Sequence, residues 1–133
     1  MLSCDYYFVA QTLDEVFDLI EKYSGDYRIL AGATDVLPWA REGRAGDVHY
    51  AALIDISKIP ELSGWHLKGR RLVFGANVTF AQFLNDPFLR NHTPVMANVA
   101  IWFADDQIRE QATLGGNLVN ASPAADGTPP MLA

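Results

Sequence analysis

One stretch of the chain, residues 113–126, limits what the chain can fold into and bind, because two adjacent glycines precede a run of small polar residues. Gly115 and Gly116 follow a short apolar approach, and glycines permit a positive φ and a close approach of the backbone to a ligand. Successive backbone N–H groups in such a turn form a concave anion site without Lys or Arg. Asn117 and Asp126 add side chains that hydrogen-bond hydroxyls or amides. The stretch therefore suits a phosphate beside a polyol, although the same glycines also fit a β-hairpin turn.

A second glycine-containing stretch follows a predicted strand nearer the start of the chain. Residues 27–31 have the composition of a short buried strand, residues 32–35 form a turn that contains Gly32, and residues 36–39 resume an apolar run that predicts a helix start. A strand, a glycine turn and a helix in this order are a common layout of phosphate-binding loops. An ordinary strand-to-helix connection is the alternative interpretation of this pattern.

Together the two stretches resemble the FAD-binding subunit or domain of the molybdenum hydroxylases, the family of xanthine dehydrogenase and carbon monoxide dehydrogenase. Members carry a first loop similar to residues 30–35 and a second similar to residues 107–117, followed by a Ser-Pro pair and an acid that match residues 122–126. The resemblance covers nearly all of the 133 residues. Two departures are visible, because Ala33 stands where the first loop usually has its second glycine, and Glu110 replaces the usual asparagine.

The resemblance implies an α+β fold with an α/β-like N-terminal subdomain, of the vanillyl-alcohol-oxidase or PCMH-type superfamily of FAD-binding domains. Residues 1–133 would form the N-terminal portion of that FAD-binding domain, and most of the second subdomain, which covers the adenine side, would lie outside them. We therefore expect these residues alone to bind FAD weakly or not at all, because a ligand of that size buries most of its surface in its pocket.

The resemblance also implies which residues bind the cofactor. Backbone N–H groups of both loops would bind the pyrophosphate, an aromatic residue would lie beside the flavin, and an acid would bind the polyol region. The implied cofactor-binding residues are Ile29, Leu30, Ala31, Gly32, Ala33, Thr34, Asp35, Val36, Phe103, Thr113, Gly115, Gly116, Asn117 and Asp126. No residue is predicted to be catalytic or to bind a metal, since the flavin would supply the chemistry.

Two of these residues have a competing structural interpretation. Asp126 precedes a predicted helix that begins near Thr128, so it also fits the N-cap of that helix. Phe103 lies in an apolar run and also fits the hydrophobic core.

The function implied by the resemblance is that of the FAD-binding component of a molybdopterin-dependent hydroxylase or dehydrogenase. In that family a large subunit holds molybdopterin, a small subunit carries two [2Fe–2S] clusters, and non-covalent FAD passes electrons to NAD or another acceptor. Two alternatives stay open: a self-contained flavin oxidase of the same superfamily, and a truncated module without flavin. In such oxidases a histidine after the first-loop glycines often links covalently to FAD, and Thr34 occupies that place here.

Composition excludes several other classes of protein. A net charge of −6 and a pI near 4.8 argue against a nucleic-acid partner. The single cysteine, Cys4, makes no internal disulfide and is too few for an iron–sulfur cluster, which takes about four ligands. The three histidines show no metal-site spacing. Without a signal peptide or an apolar run of about 20 residues, we expect a cytoplasmic protein without a membrane span.

Local patterns predict several elements with defined ends. Two capping boxes, at residues 12–15 and 79–82, predict helix starts. A Gly-Arg pair at residues 69–70 predicts a hairpin, and glycines mark a loop at residues 43–46. Pro94 predicts the first position of a helix that is capped by Thr93 and runs through Val95, Val99 and Phe103. Strands that alternate with helices favour an α/β arrangement with both glycine loops at the C-terminal ends of neighbouring strands.

Overall fold

The structure is a computed structural model that describes residues 1–43 and 47–133. The chain divides into two compact units, residues 1–61 and residues 62–133. The loop predicted at residues 43–46 lies, apart from Gly43, outside the described residues. Within the described ranges no helix is long and apolar enough to cross a membrane.

The first unit is built on a parallel three-stranded sheet. Its strands are β1 (Leu2–Val9), β2 (Tyr27–Leu30) and β3 (Val48–Asp55), and its helices are α1 (Leu13–Lys22) and α2 (Val36–Arg41). The strand order is β1-β3-β2, so β3 lies in the centre. Val9 and Leu30 both lie opposite Asp55. The carboxyl ends of all three strands therefore meet at one edge of the sheet, where open α/β sheets bind their ligands.

Helix α1 begins where the sequence predicts, but its start differs from a full capping box. The Thr12 hydroxyl accepts a hydrogen bond from the N–H of Glu15 at 3.2 Å. The Glu15 carboxylate accepts from the N–H of Gln11 at 2.8 Å, one residue earlier than the predicted partner. Val16 and Leu19 are buried, as expected for an amphipathic helix.

The second unit is a hairpin followed by six short helices. The hairpin joins β4 (Trp65–Lys68) to β5 (Arg71–Phe74), and the helices are α3 (Phe80–Asn85), α4 (Pro87–His92), α5 (Pro94–Trp102), α6 (Asp106–Gln111), α7 (Leu114–Val119) and α8 (Thr128–Leu132). A 3₁₀ helix, Pro60–Leu62, lies at the boundary of the two units. The core of the second unit contains Val78, Phe80, Phe83, Leu89, Met96, Ala100, Ala112 and Leu114.

Two local predictions in the second unit are confirmed. The strands of the hairpin pair antiparallel around residues 69–70, and Gly69 has a φ of +62°, which the turn requires of it. The capping box at the start of α3 is complete. Gln82 N–H donates to the Thr79 hydroxyl at 3.3 Å, and Thr79 N–H donates to the Gln82 side-chain oxygen at 2.9 Å.

Other expectations are wrong in the second unit. Alternation of strands and helices holds only in the first unit, and the overall class is α+β. Helix α5 begins at Pro94 as predicted, but it ends at Trp102, one residue before Phe103. It buries Met96, Ala97 and Ala100, and Val95 is 50% exposed. Because the sequence of α5 is apolar almost all round, its periodicity does not show which face is buried.

The predicted caps of α5 and α8 are also wrong. The Thr93 hydroxyl donates to the carbonyl of Leu89 at 2.7 Å instead of accepting from its own helix. The N-cap residue of α8 is Gly127, and Asp126 is an exposed residue just before it. Asp126 therefore has no capping role.

Candidate functional site

The first glycine loop lies at the carboxyl end of β2, beside the central strand of the sheet. Its residues 31–35 are partly buried, and Ala33 has a φ of +55°. This left-handed conformation costs an L-residue about 1–2 kcal/mol, and glycine escapes that cost. The departure from the family pattern at Ala33 therefore falls on the one residue of the loop whose backbone favours glycine.

Three N–H groups of this loop are available to a ligand. In the described ranges of the chain, the backbone N–H groups of Gly32, Ala33 and Thr34 donate no hydrogen bond. The loop carbonyls are instead tied to α2, because Ala33 and Asp35 accept from Leu37 and Trp39 at 3.2 and 3.0 Å. Successive unpaired N–H groups around a left-handed residue form a concave site for an anion.

Asp55, the last residue of the central strand, forms a polar pair with Tyr7 of β1 that the sequence did not predict. The Tyr7 hydroxyl donates to the Asp55 carboxylate at 2.6 Å, and the N–H of Ser57 donates to the same carboxylate at 2.8 Å. The hydrogen bond to Asp55, with burial and the charge of Asp55, raises the pKa of Tyr7 to about 12. Burial pushes the pKa of Asp55 upward, but the hydrogen bonds from Tyr7 and Ser57 outweigh it, and the pKa lies below its usual value.

The second glycine stretch is helical, so both the hairpin interpretation and the expected left-handed glycines are wrong. Thr113 is the N-cap of α7, and Gly115 and Gly116 lie in its first turn without a positive φ. The N–H groups of this turn have partners within the chain. Gly115 donates to the carbonyl of Ala76 at 2.8 Å, Gly116 to the Thr113 hydroxyl at 3.1 Å, and Asn117 to the Thr113 carbonyl at 3.0 Å.

The two glycines differ in why a residue without a side chain stands at each position. A Cβ on Gly115 would lie 2.6 Å from the Cβ of Ala76 and 2.7 Å from its carbonyl oxygen. Since the second of these atoms is backbone, Gly115 is required by the fold. A Cβ on Gly116 would meet only the Thr113 hydroxyl, at 2.8 Å. Gly116 is exposed, so it leaves a stretch of helix surface without a side chain.

A hydrogen bond from Gly127 to Asn117 holds Asp126, the acidic residue of the motif, near the second glycine stretch. The side-chain oxygen of Asn117 accepts from the N–H of Gly127 at 2.9 Å, ten residues further along the chain. A Cβ on Gly127 would lie 2.6 Å from that oxygen, so a larger residue would force the Asn117 side chain to move. Asp126 is thereby held near α7, with its side chain exposed.

Phe103 packs on the core by one face of its ring. The ring stacks on that of Phe80 with centroids 4.0 Å apart and planes 12° apart, and Phe80 is fully buried. Phe103 itself is only partly buried, so the core interpretation holds without excluding contact with a ligand.

A Ser-His-Asp series on the sheet is a surface feature. The His49 ring lies 3.0 Å from the Ser3 hydroxyl through Nδ1 and 3.3 Å from the Asp5 carboxylate through Nε2. All three residues are exposed, on adjacent strands. Within the described ranges no group of three or more His, Cys, Asp or Glu residues is placed to hold a metal ion.

Comparison with known proteins gives the family of the chain. Residues 2–133 match the family described as the FAD binding domain in molybdopterin dehydrogenase. The chain belongs to this family. Among curated relatives, it is 31% identical over 120 residues to the carbon monoxide dehydrogenase medium chain of Hydrogenophaga pseudoflava, covering 90% of this chain and 41% of the relative. It is 35% identical over 127 residues to the nicotinate dehydrogenase FAD-subunit of Eubacterium barkeri, covering 94% and 42%.

Solved structures of two other proteins share the fold. Reconstituted carbon monoxide dehydrogenase from Oligotropha carboxidovorans matches with a TM-score of 0.83 and 29% identity, covering 91% of this chain and 41% of that chain. Quinoline 2-oxidoreductase from Pseudomonas putida 86 matches with a TM-score of 0.78 and 28% identity, covering 87% and 39%. The chain thus spans about two fifths of the length of these relatives. The resemblance seen in the sequence is confirmed. The three N–H groups of the first loop that have no acceptor among the described residues fit the pyrophosphate of the FAD that the family implies.

Proposed function

We propose that this chain binds FAD without a covalent link and forms the flavin-binding part of a molybdenum hydroxylase. The observation that carries the proposal is the first loop, where Gly32, Ala33 and Thr34 present three successive N–H groups with no acceptor in the described ranges. A pyrophosphate supplies anionic oxygens, and hydrogen bonds to charged groups contribute about 1.5–3 kcal/mol each. The loop needs no basic side chain for this role, and residues 29–36 contain none.

The remaining residues of the first loop hold those N–H groups in place. Ile29 and Leu30 continue the sheet, since both pair with β3. The carbonyls of Ala33 and Asp35 anchor the loop to α2, of which Val36 is the first residue. Ala31 is the first residue of the connection between β2 and α2. These residues therefore shape the anion site without contacting the anion through their own side chains.

Residues of the second unit are proposed for the same cofactor on the family resemblance. Because the N–H groups of Gly115, Gly116 and Asn117 have partners within the chain, they do not serve the pyrophosphate as the sequence suggested. We propose instead that Gly116 contributes exposed helix surface without a side chain, and that the exposed Asp126 accepts hydrogen bonds from hydroxyls of the polyol region. Thr113 and Asn117 would hold this surface together, and Phe103 would offer its partly exposed ring to the flavin.

Bound FAD would supply the redox chemistry, accepting electrons from [2Fe–2S] clusters and delivering them to NAD or another acceptor. The partners proposed are a large subunit with molybdopterin and a small subunit with the iron–sulfur clusters. Several relatives are themselves subunits by name, such as the carbon monoxide dehydrogenase medium chain. We propose the cytoplasm as the location.

The experiment that tests this proposal identifies the flavin. The protein, purified in the complex in which it occurs, is precipitated with acid, and the supernatant is analysed by chromatography. We expect FAD in the supernatant at about one equivalent per chain and a colourless precipitate. The reason is that position 34 is a threonine, which cannot form the covalent link made by a histidine at this place. A yellow precipitate would indicate a covalent flavin oxidase, and a protein without flavin would indicate the truncated module. Anaerobic reoxidation of the reduced protein by NAD⁺ tests the acceptor.

A further inference from the structure

Arg109 has an unusual position for an arginine in a surface helix. Its side chain is 13% exposed, and its guanidinium lies under the turn between α5 and α6. Nε donates to the carbonyl of Phe103 at 2.7 Å. Nη2 donates to the carbonyls of Ile101 and Ala104 at 2.8 and 3.0 Å. The last carbonyls of a helix have no partner within the helix. At the end of α5, the single side chain of Arg109 donates to three backbone carbonyls.

The ion pair of Arg109 is the less important part of this arrangement. Nη1 lies 2.6 Å from the Asp106 carboxylate, whose side chain is 95% exposed. Exposed ion pairs contribute little, because water competes for both charges. The three carbonyl contacts thus account for the position of Arg109, and only a planar group with several N–H donors makes all of them at once.

The turn that Arg109 holds carries backbone strain. Ala104 has a φ of +44°, a left-handed conformation that is unfavourable for a residue with a Cβ. Asp105 begins α6 by accepting from the N–H of Ile108 at 2.9 Å. The residue between the helix end and the strained position is Phe103. Its main chain is fixed by Arg109 on one side and by α5 on the other, through the hydrogen bond of its N–H to Val99 at 3.1 Å.

The Phe103 ring connects this turn to the second glycine stretch. It stacks on Phe80, whose N–H donates to the carbonyl of Ala112 at 3.1 Å. Beside this contact, Leu114 N–H donates to the carbonyl of Val78 at 2.9 Å, and this strand-like pairing sets the start of α7. A shift of Phe103 would therefore reach the turn that contains the glycine pair.

We infer that Arg109 is a positioning residue: by clamping the carbonyls of the turn between α5 and α6, it sets the Phe103 ring against Phe80 and presents its other face to the flavin. The part that concerns flavin rests on the proposed function. Lysine has one nitrogen in place of the guanidinium fork, so it does not restore the clamp although it keeps the charge.

The test is a double-mutant cycle on the protein purified in the complex in which it occurs. Arg109→Lys and Phe103→Leu are each expected to weaken FAD binding about tenfold and to shift the flavin absorption spectrum in the same direction. The double variant is expected to be no worse than Phe103→Leu, because Arg109 acts through Phe103. Asp106→Asn is the matched control, and FAD affinity should stay within about twofold of the wild type.

Several results would overturn the inference. They are additive losses in the double variant, a wild-type flavin spectrum in Phe103→Leu, and full rescue by lysine at position 109. If Arg109→Lys does not fold, the FAD affinity and flavin spectrum of Phe103→Leu decide the question. The hydrogen bonds from Arg109 to main-chain carbonyls remain in that variant, so only the ring is changed. A wild-type protein that binds no FAD would contradict the proposed function instead. In that case ¹³C-labelled phenylalanine still tests the clamp, because the Phe103 ring signals must move in Arg109→Lys and not in Asp106→Asn.

Discussion

The two adjacent glycines of α7 are expected to differ in their effect on stability when each is changed to alanine. A Cβ at Gly115 would lie 2.6 and 2.7 Å from the side chain and carbonyl of Ala76, and these atoms cannot move without breaking the 2.8 Å hydrogen bond between the two residues. Overpacking of this kind costs about 1–3 kcal/mol, and a weakened hydrogen bond about 1 kcal/mol more. Replacing glycine by alanine in a helix returns about 1 kcal/mol. We therefore expect Gly115→Ala to lower the free energy of unfolding by about 2 kcal/mol.

Gly116→Ala should leave stability nearly unchanged. Its Cβ would displace only the Thr113 hydroxyl, 2.8 Å away, and the loss of that N-cap costs about 1 kcal/mol. The gain in helix propensity is of the same size, about 1 kcal/mol. Gly116→Ala is thus the matched control for Gly115→Ala, and any loss of FAD affinity in it reports on the ligand rather than on the fold.

Urea unfolding followed by circular dichroism at 222 nm measures both variants. The midpoint of Gly115→Ala should fall clearly below that of the wild type, and the midpoint of Gly116→Ala should coincide with it. Equal loss in the two variants, or none in Gly115→Ala, would show that contact with Ala76 is not what requires a glycine at this position.

Three further predictions concern the rest of the chain. Ala33→Gly relieves the φ of +55° at the cost of a more flexible unfolded chain, and should raise stability by about 0.5 kcal/mol, measured by the same urea titration. The pKa of Tyr7 is raised to about 12 in the folded protein, so its hydrogen bond to Asp55 stabilises the fold fully below pH 10. This contribution to the free energy of unfolding is lost as the pH rises through 12. For a side chain that is 55% exposed this is about 1 kcal/mol after solvent screening, and Tyr7→Phe should flatten the alkaline limb of the stability profile. Trp102 is 88% exposed beside a half-exposed Ile101, so the 133-residue chain by itself should self-associate, and Trp102→Ser should shift sedimentation toward monomer.

Features set by neighbours in the sequence were predictable. The hairpin at residues 69–70 and the capping box at residues 79–82 depend on a few adjacent residues, and both are present. The first glycine loop was likewise placed correctly after a strand, because an apolar run, a glycine turn and a second apolar run follow each other directly. The family was recognised for the same reason, since its motifs are contiguous.

Features set by distant contacts were not predictable. Gly115 and Gly116 resemble a hairpin locally, and what makes them helical is packing against Ala76, about forty positions earlier in the chain. The buried face of α5 was not predictable, because nearly every residue of that helix is apolar. The partners of Arg109 are backbone carbonyls, and a pattern of residue types does not show which carbonyls a side chain meets.

The most direct test of the central claim compares the affinities of FAD and riboflavin for the protein in its natural complex, stripped of flavin. The account holds that the pyrophosphate, which riboflavin lacks, is bound by the N–H groups of Gly32, Ala33 and Thr34, for which the described part of the chain offers no acceptor. It predicts that isothermal titration calorimetry gives FAD an affinity at least about a hundredfold higher than that of riboflavin. This factor corresponds to two hydrogen bonds to a charged group. Equal affinities for FAD and riboflavin would contradict it, because the first loop would then hold no phosphate.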